Sequence, residues 1–157
     1  MSNNYYIQNF YMQTINITLP DGSVRQYPQG VTSLDIAMSI SEGLARNVLS
    51  ASVNGEVWDA TRKINADATV RLHTWTDKEG KATYWHSSAH LMAEALEALY
   101  PGVKFGIGPA IDNGYYYDVD TGDISLTPAD LPKIEEKMME LAKNKSLYQR
   151  QAVSKAD

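Results

Sequence analysis

The sequence predicts an α+β chain built as two units in tandem, and three observations predict it. Short runs of alternating apolar and polar residues, punctuated by turn dipeptides, fill positions 14–75 around a single helical segment. A longer apolar pattern at helical spacing begins at Trp85. Between them, Thr76-Asp77-Lys78-Glu79-Gly80-Lys81 is polar and contains glycine, the composition of a linker or hairpin tip. The 157 residues suffice for one ordinary domain or two small ones.

Residues 1–13 are polar, rich in tyrosine and without periodicity, which predicts a flexible leader; Met12 is a conceivable alternative start. Ile15, Ile17 and Leu19 then alternate with polar residues, Pro20-Asp21-Gly22 supplies a turn, and Val24 and Tyr27 alternate on the return. That is the pattern of a β-hairpin. Thr32-Ser33 caps a short helix containing Leu34, Ile36, Ala37 and Ile40, with Gly43 as its expected stop. Strands are expected over 48–53, through Val57 and Trp58 after the Asn54-Gly55 turn, and over 69–74, with Val70 and Leu72 on one face. The order β-β-α-β-β-β over residues 14–75 predicts a β-grasp, ubiquitin-like sheet wrapped on one helix. A core this small suits a recognition module, and the sequence offers no nucleophile–base pair inside it.

The second unit, expected over 76–157, opens with a helix whose core stripe is Trp85, Ala89, Met92, Leu96 and Leu99, stopped by Pro101-Gly102. His86, His90, Ala93 and Glu97 form the neighbouring stripe, about 100° around the helix. This borders the core, where a cleft residue belongs. Two strands, 103–108 and 114–119, are expected to flank Pro109–Asn113, with Tyr115, Tyr117 and Val119 facing one way and Tyr116, Asp118 and Asp120 the other. Thr127-Pro128-Ala129-Asp130 reads as a helix start, followed by a core stripe of Leu131, Ile134, Met138 and Leu141. After Tyr148 the sequence turns polar, and the unit reads as truncated.

Composition narrows the functions. No apolar run is long enough to span a bilayer and no secretion signal opens the chain, so a cytoplasmic protein without membrane partners is expected. The absence of cysteine removes thiolate nucleophiles, thiolate metal sites and disulfides from these residues. Net charge is −5, with five Lys/Arg against six Asp/Glu in residues 1–75 and nine against thirteen in 76–157. Nucleic acid is held mainly by clustered positive charge, so weak or no autonomous binding is expected.

The residues that most invite chemistry are His86 and His90. They sit one helical turn apart, so both imidazoles share a face, and imidazole exchanges protons near neutral pH. Serine at position 87 excludes the zinc-protease motif, which needs glutamate there. A metal would need a third ligand, and His73 would reach the pair only by folding back from the first unit. No metal site is therefore expected, and proton transfer or water positioning is the better functional reading. Lys104-Phe105-Gly106-Ile107-Gly108-Pro109 lacks the Gly-Lys-Ser/Thr ending of a phosphate loop and reads as a strand whose glycines admit close backbone approach. Tyr115-Tyr116-Tyr117-Asp118 reads as strand packing, with one or two side chains available to a cleft.

Three segments in order, Ile15-Asn16-Ile17-Thr18-Leu19-Pro20-Asp21-Gly22-Ser23, His86-Ser87-Ser88-Ala89-His90-Leu91, and Gly106-Ile107-Gly108-Pro109 through Asp112-Asn113-Gly114-Tyr115-Tyr116-Tyr117-Asp118, resemble the bacterial threonyl-tRNA synthetase family over about residues 14–150. The resemblance implies a TGS domain over 14–75. It also implies the first part of an editing domain over 76–157, which hydrolyses serine wrongly attached to threonine tRNA. Such correction has a physical cause: serine lacks one methyl of threonine, a difference worth only about 1–3 kcal/mol. It further implies that His86 and His90 are catalytic editing residues and that Tyr117 and Gly108 line the editing pocket. The family's later Cys-x-x-x-His motif has no counterpart in this cysteine-free sequence, so the chain is expected to be an N-terminal fragment, incomplete as a catalyst. No cofactor is expected within it. ATP, magnesium, a zinc ion and the homodimer contacts would belong to a catalytic core outside it, and tRNA(Thr) would be met through the full-length protein. The alternative is a stand-alone regulatory or assembly module built on the TGS domain.

Overall fold

The computed structural model describes residues 13–146 and Ser154. They form two compact units that divide between Tyr84 and Trp85. The leader expected over 1–13 lies outside the described residues apart from Gln13, as does the segment from Tyr148 onward apart from Ser154.

The first unit is the β-grasp that the alternation predicts. Its elements are β1 (Thr14–Thr18), β2 (Val24–Pro28), β3 (Val31–Thr32), α1 (Ser33–Ile40), α2 (Glu42–Asn47), β4 (Ser50–Val53), β5 (Glu56–Asp59), β6 (Lys63–Ile64) and β7 (Ala68–His73). The main sheet runs β2-β1-β7-β4-β5, with β1 and β7 parallel in the middle (Ile17 opposite Ala68) and the other neighbours antiparallel. A separate short pair sets Val31 opposite Ile64. Period-two alternation sends Ile15 and Ile17 of β1, Leu19 just after it, Ala51 and Val53 of β4, and Val70 of β7 to one face, where they pack with Val31, Ile36 and Ile64. Fully burying a side chain such as Ile17 or Ile36 contributes about 1.5–3 kcal/mol, so this single cluster accounts for the unit's cohesion. Val24 is exposed on the edge strand β2, and Tyr27 packs against the core from there.

Local chemistry sets the turns. Asn54 and Gly55 both take positive φ, 51° and 87°, in a two-residue hairpin turn whose twist suits the flanking strands. Thr32 caps α1 in a reciprocal box: its hydroxyl accepts from the Asp35 backbone N–H at 3.1 Å, and the Asp35 carboxylate accepts from the Thr32 N–H at 2.9 Å. The helix does not run to Gly43. Ser41 ends α1 in extended backbone and its hydroxyl accepts the Leu44 N–H at 3.0 Å, opening α2 with Gly43 inside it.

Thr76–Lys81 is not a linker. Helix α3 begins at Lys78 and runs to Leu99, so the stretch is mostly helical. The Asp77 carboxylate accepts from the Thr74 N–H and from Arg71, both at 2.9 Å, and Gly80 lies against the Thr74 backbone with no room for a Cβ. Glycine here serves close packing rather than looseness.

In the second unit the residues of α3 from Trp85 onward are followed by β8 (Lys104–Phe105), β9 (Ala110–Ile111), β10 (Gly114–Tyr115), β11 (Val119–Asp120), a 3-10 turn (Pro128–Asp130) and α4 (Leu131–Lys143). Its core is Leu96, Tyr100 and Ile134, with Met92, Leu99, Val103, Phe105, Val119, Leu126 and Met138 packed around them. Ala89 is also buried, as its stripe predicts. The expected strands over 103–108 and 114–119 shrink to four two-residue pieces of one interrupted hairpin: Phe105 pairs with Val119, and Ala110 with Tyr115. Pro109 has no N–H to donate to a ladder, and Gly108 lies beneath the Tyr117 ring, so regular pairing stops between the pieces. Across the break the Gly106 N–H still reaches the Asp118 carbonyl at 2.8 Å. Helix α4 begins after the 3-10 turn instead of at Pro128. Leu131, expected in its core stripe, is 55% exposed because it sits at the helix's first position, a turn short of the packed face that Ile134 and Met138 occupy.

Candidate active site

Helical geometry brings His86 and His90 together as the spacing requires. Their Nε2 atoms are 3.2 Å apart and the rings meet edge to face, with centroids at 4.6 Å and planes at 82°. Both imidazoles are exposed, on the stripe beside buried Ala89. At this distance one ring donates its N–H to the other ring's lone pair, so the pair holds a shared proton most comfortably when only one imidazole is charged. Partial loss of hydration lowers the His90 pKa below its ordinary value of 6.5; the neighbouring His86 lowers it further, and the Glu94 carboxylate, one turn along, works in the opposite direction. Near neutral pH His90 is thus biased to its neutral, proton-accepting form.

Gly108 and Tyr117 form a second contacting pair. A Cβ built on Gly108 would lie 2.5 Å from Cδ2 and Cε2 of Tyr117, so the ring rests directly on the glycine backbone. Phe105 buttresses Tyr117 edge-on at a centroid distance of 5.5 Å. Trp85, next to His86, packs on Tyr115 with centroids 6.1 Å apart. Exposure alternates from Tyr115 to Asp120 as the strand pattern predicts: Tyr115, Tyr117 and Val119 are half-buried, while Tyr116, Asp118 and Asp120 are exposed.

His73 is fully buried in the first unit, with Nδ1 at 3.1 Å from the Ser50 hydroxyl and Nε2 at 3.0 Å from that of Ser52. Both ring nitrogens are therefore occupied within that unit. No local sequence signal marks this Ser-His-Ser chain, because it crosses two strands and depends on their register: Ser50 stands opposite His73, and Ser52 opposite Arg71. Among the described residues, no three or more His, Asp or Glu side chains converge to hold a metal ion.

The β-grasp coincides with a known family. Residues 15–74 match the TGS domain model, from the first residue of the β1 apolar face to the residue after β7. The first unit contains a TGS domain. Beyond it, the chain is 66% identical over 143 residues to a threonine–tRNA ligase of Cytophaga hutchinsonii, 61% over 143 residues to one of Parabacteroides distasonis and 60% over 144 residues to one of Porphyromonas gingivalis. Each match covers 91% of this chain and 22% of the relative, so the chain spans about a fifth of the length of these ligases. The similarity thus extends well past the TGS domain and over most of the helix and hairpin that carry His86, His90, Gly108 and Tyr117.

Proposed function

We propose that this chain is part of a threonyl-tRNA synthetase and that His86 and His90 belong to the site that removes serine from mischarged tRNA(Thr). The reading rests on one observation above all: the Nε2 atoms of the two histidines meet at 3.2 Å in a chain 66% identical to a threonine–tRNA ligase. In it, water attacks the carbonyl carbon of the seryl ester and the bond from that carbon to the ribose oxygen breaks. The water proton passes to neutral His90, and the pair returns a proton to the leaving ribose oxygen. The Nε2–Nε2 contact lets the proton pass between the rings, so either can present it. Tyr117, held flat by Gly108 and Phe105, forms a rigid wall for the small seryl side chain. ATP, magnesium, a zinc ion and the homodimer contacts of such an enzyme lie outside these residues. The cytoplasm is the compartment this reading requires, and no helix among the described residues is long and apolar enough to cross a membrane.

The test is deacylation of Ser-tRNA(Thr) by a full-length ligase containing this chain. His86→Ala and His90→Ala should each slow it by about 100-fold or more, with threonine attachment intact. Unchanged deacylation in both variants would remove the histidines from the reaction. The 157-residue chain alone should deacylate poorly and, with its net charge of −5, bind tRNA weakly at physiological salt.

A further inference from the structure

Two hairpin turns of the chain contain an Asn-Gly dipeptide. Asn54 and Gly55 are the turn residues between β4 and β5, and Asn113 ends the turn between β9 and β10, with Gly114 opening β10. In such a dipeptide the glycine backbone nitrogen, unscreened by any Cβ, attacks Cγ of the asparagine side chain. The C–N bond of the side-chain amide breaks, ammonia leaves with the proton that the backbone nitrogen gives up, and a cyclic imide remains. Water then opens the imide at either carbonyl, giving aspartate or isoaspartate. No reactant besides water is required. What the fold controls is whether the side chain can swing onto the glycine nitrogen.

The two asparagines differ in that freedom. Asn54 is fixed to β7: its Oδ1 accepts from the Thr69 N–H at 2.9 Å and from the Thr69 hydroxyl at 3.3 Å, and its own N–H donates to the Thr69 carbonyl at 2.9 Å. Its amide reaches the Gly55 nitrogen only by giving up the two bonds to Oδ1. Asn113 is exposed, and its side chain makes no hydrogen bond among the described residues. Beside Gly114 the space that a Cβ would fill is open.

We propose that Asn113 is a deamidation site, converted through a cyclic imide to isoaspartate and aspartate, and that its clamp on Thr69 protects Asn54. Either product adds a negative charge to the turn. Isoaspartate also inserts a methylene into the main chain, next to the strands that set Ala110 opposite Tyr115. Tyr115 packs on Trp85, the neighbour of His86. Resting on the editing assignment, a consequence follows: the modified turn loosens that packing and slows deacylation.

Peptide mapping by mass spectrometry of the purified 157-residue chain, aged at pH 7.5, tests the modification, with the same chain aged in guanidinium chloride as reference. In the folded chain Asn113 should convert at close to its unfolded rate and about tenfold or more faster than Asn54, which must first break its bonds to Thr69. In denaturant the two rates should converge, because both asparagines then precede glycine in a flexible chain. Equal rates at the two sites in the folded chain, or an Asn113 slowed as much as Asn54, overturns the proposal. Ser-tRNA(Thr) deacylation by the full-length ligase, fresh and aged, separates the two ideas. Conversion of Asn113 in a ligase whose deacylation is independent of His86 and His90 would sink the editing reading alone. Histidine-dependent deacylation with Asn113 unconverted on ageing would sink the deamidation alone.

Discussion

Gly80 lies against the carbonyl of Thr74 so closely that its missing Cβ is what lets α3 start where it does. The contact joins the first turn of the helix to the residue just after β7, and the Asp77 carboxylate ties the same corner through Thr74 and Arg71. Gly80→Ala should therefore destabilise the TGS unit by about 1–3 kcal/mol through overpacking, although alanine is ordinarily the better helix former. Urea denaturation followed by Trp fluorescence reads the change; a neutral or stabilising effect would show that the corner yields easily.

Gly108 and Tyr117 should be coupled in the same sense. Gly108→Ala pushes the Tyr117 ring off its seat, whereas in Tyr117→Ala the added methyl has space. A double-mutant cycle is expected to give a coupling of about 1 kcal/mol or more, with the double variant less impaired than the sum of the singles. Additivity would mean that the ring leaves its seat at no cost.

The His90 titration has a definite direction. With its folded pKa below 6.5, the unfolded chain binds more protons wherever pH lies between the two values. Its contribution to stability is therefore full above 6.5 and is lost as pH falls through the folded pKa. In an NMR titration the His90 midpoint should lie below 6.5, and His86→Ala should raise it by removing a neighbour that disfavours protonation of His90. A midpoint at or above 6.5 would contradict the partial desolvation that is the larger cause.

His73→Ala should cost the TGS unit about 2–4 kcal/mol, since it opens a cavity and strands the buried Ser50 hydroxyl. Thermal unfolding measures it. A cost below about 0.5 kcal/mol, the range of surface substitutions, would mean that the serines find other partners.

Much of the first unit was readable because period-two alternation in Ile15, Ile17 and Leu19 and the Asn54-Gly55 turn are local signals that the fold obeys. Gly43 and Gly80 misled for one shared reason: glycine's weak helix propensity was outweighed, by the Ser41 cap in one case and by close packing on Thr74 in the other. The hairpin after α3 defeated strand reasoning because Gly108 and Pro109 interrupt the ladder for the sake of a side chain on the opposite strand. Of the candidate site, the His86–His90 contact follows from helical spacing alone, and the seat of Tyr117 on Gly108 does not. His73's serine partners depend on cross-strand register, which no single segment encodes.

The parallel pairing of β1 with β7 has a consequence for the order of folding. Its register sets Ile17 against Ala68, so the first strand gains its central partner only when the last strand of the sheet exists. During synthesis the β1–β2 hairpin must wait through both helices and four further strands with one edge of β1 unpaired. Such non-local closure slows folding and prolongs exposure of an aggregation-prone strand. The TGS unit should accordingly resist piecewise assembly on the ribosome and close late, as a single cooperative event, once β7 has emerged.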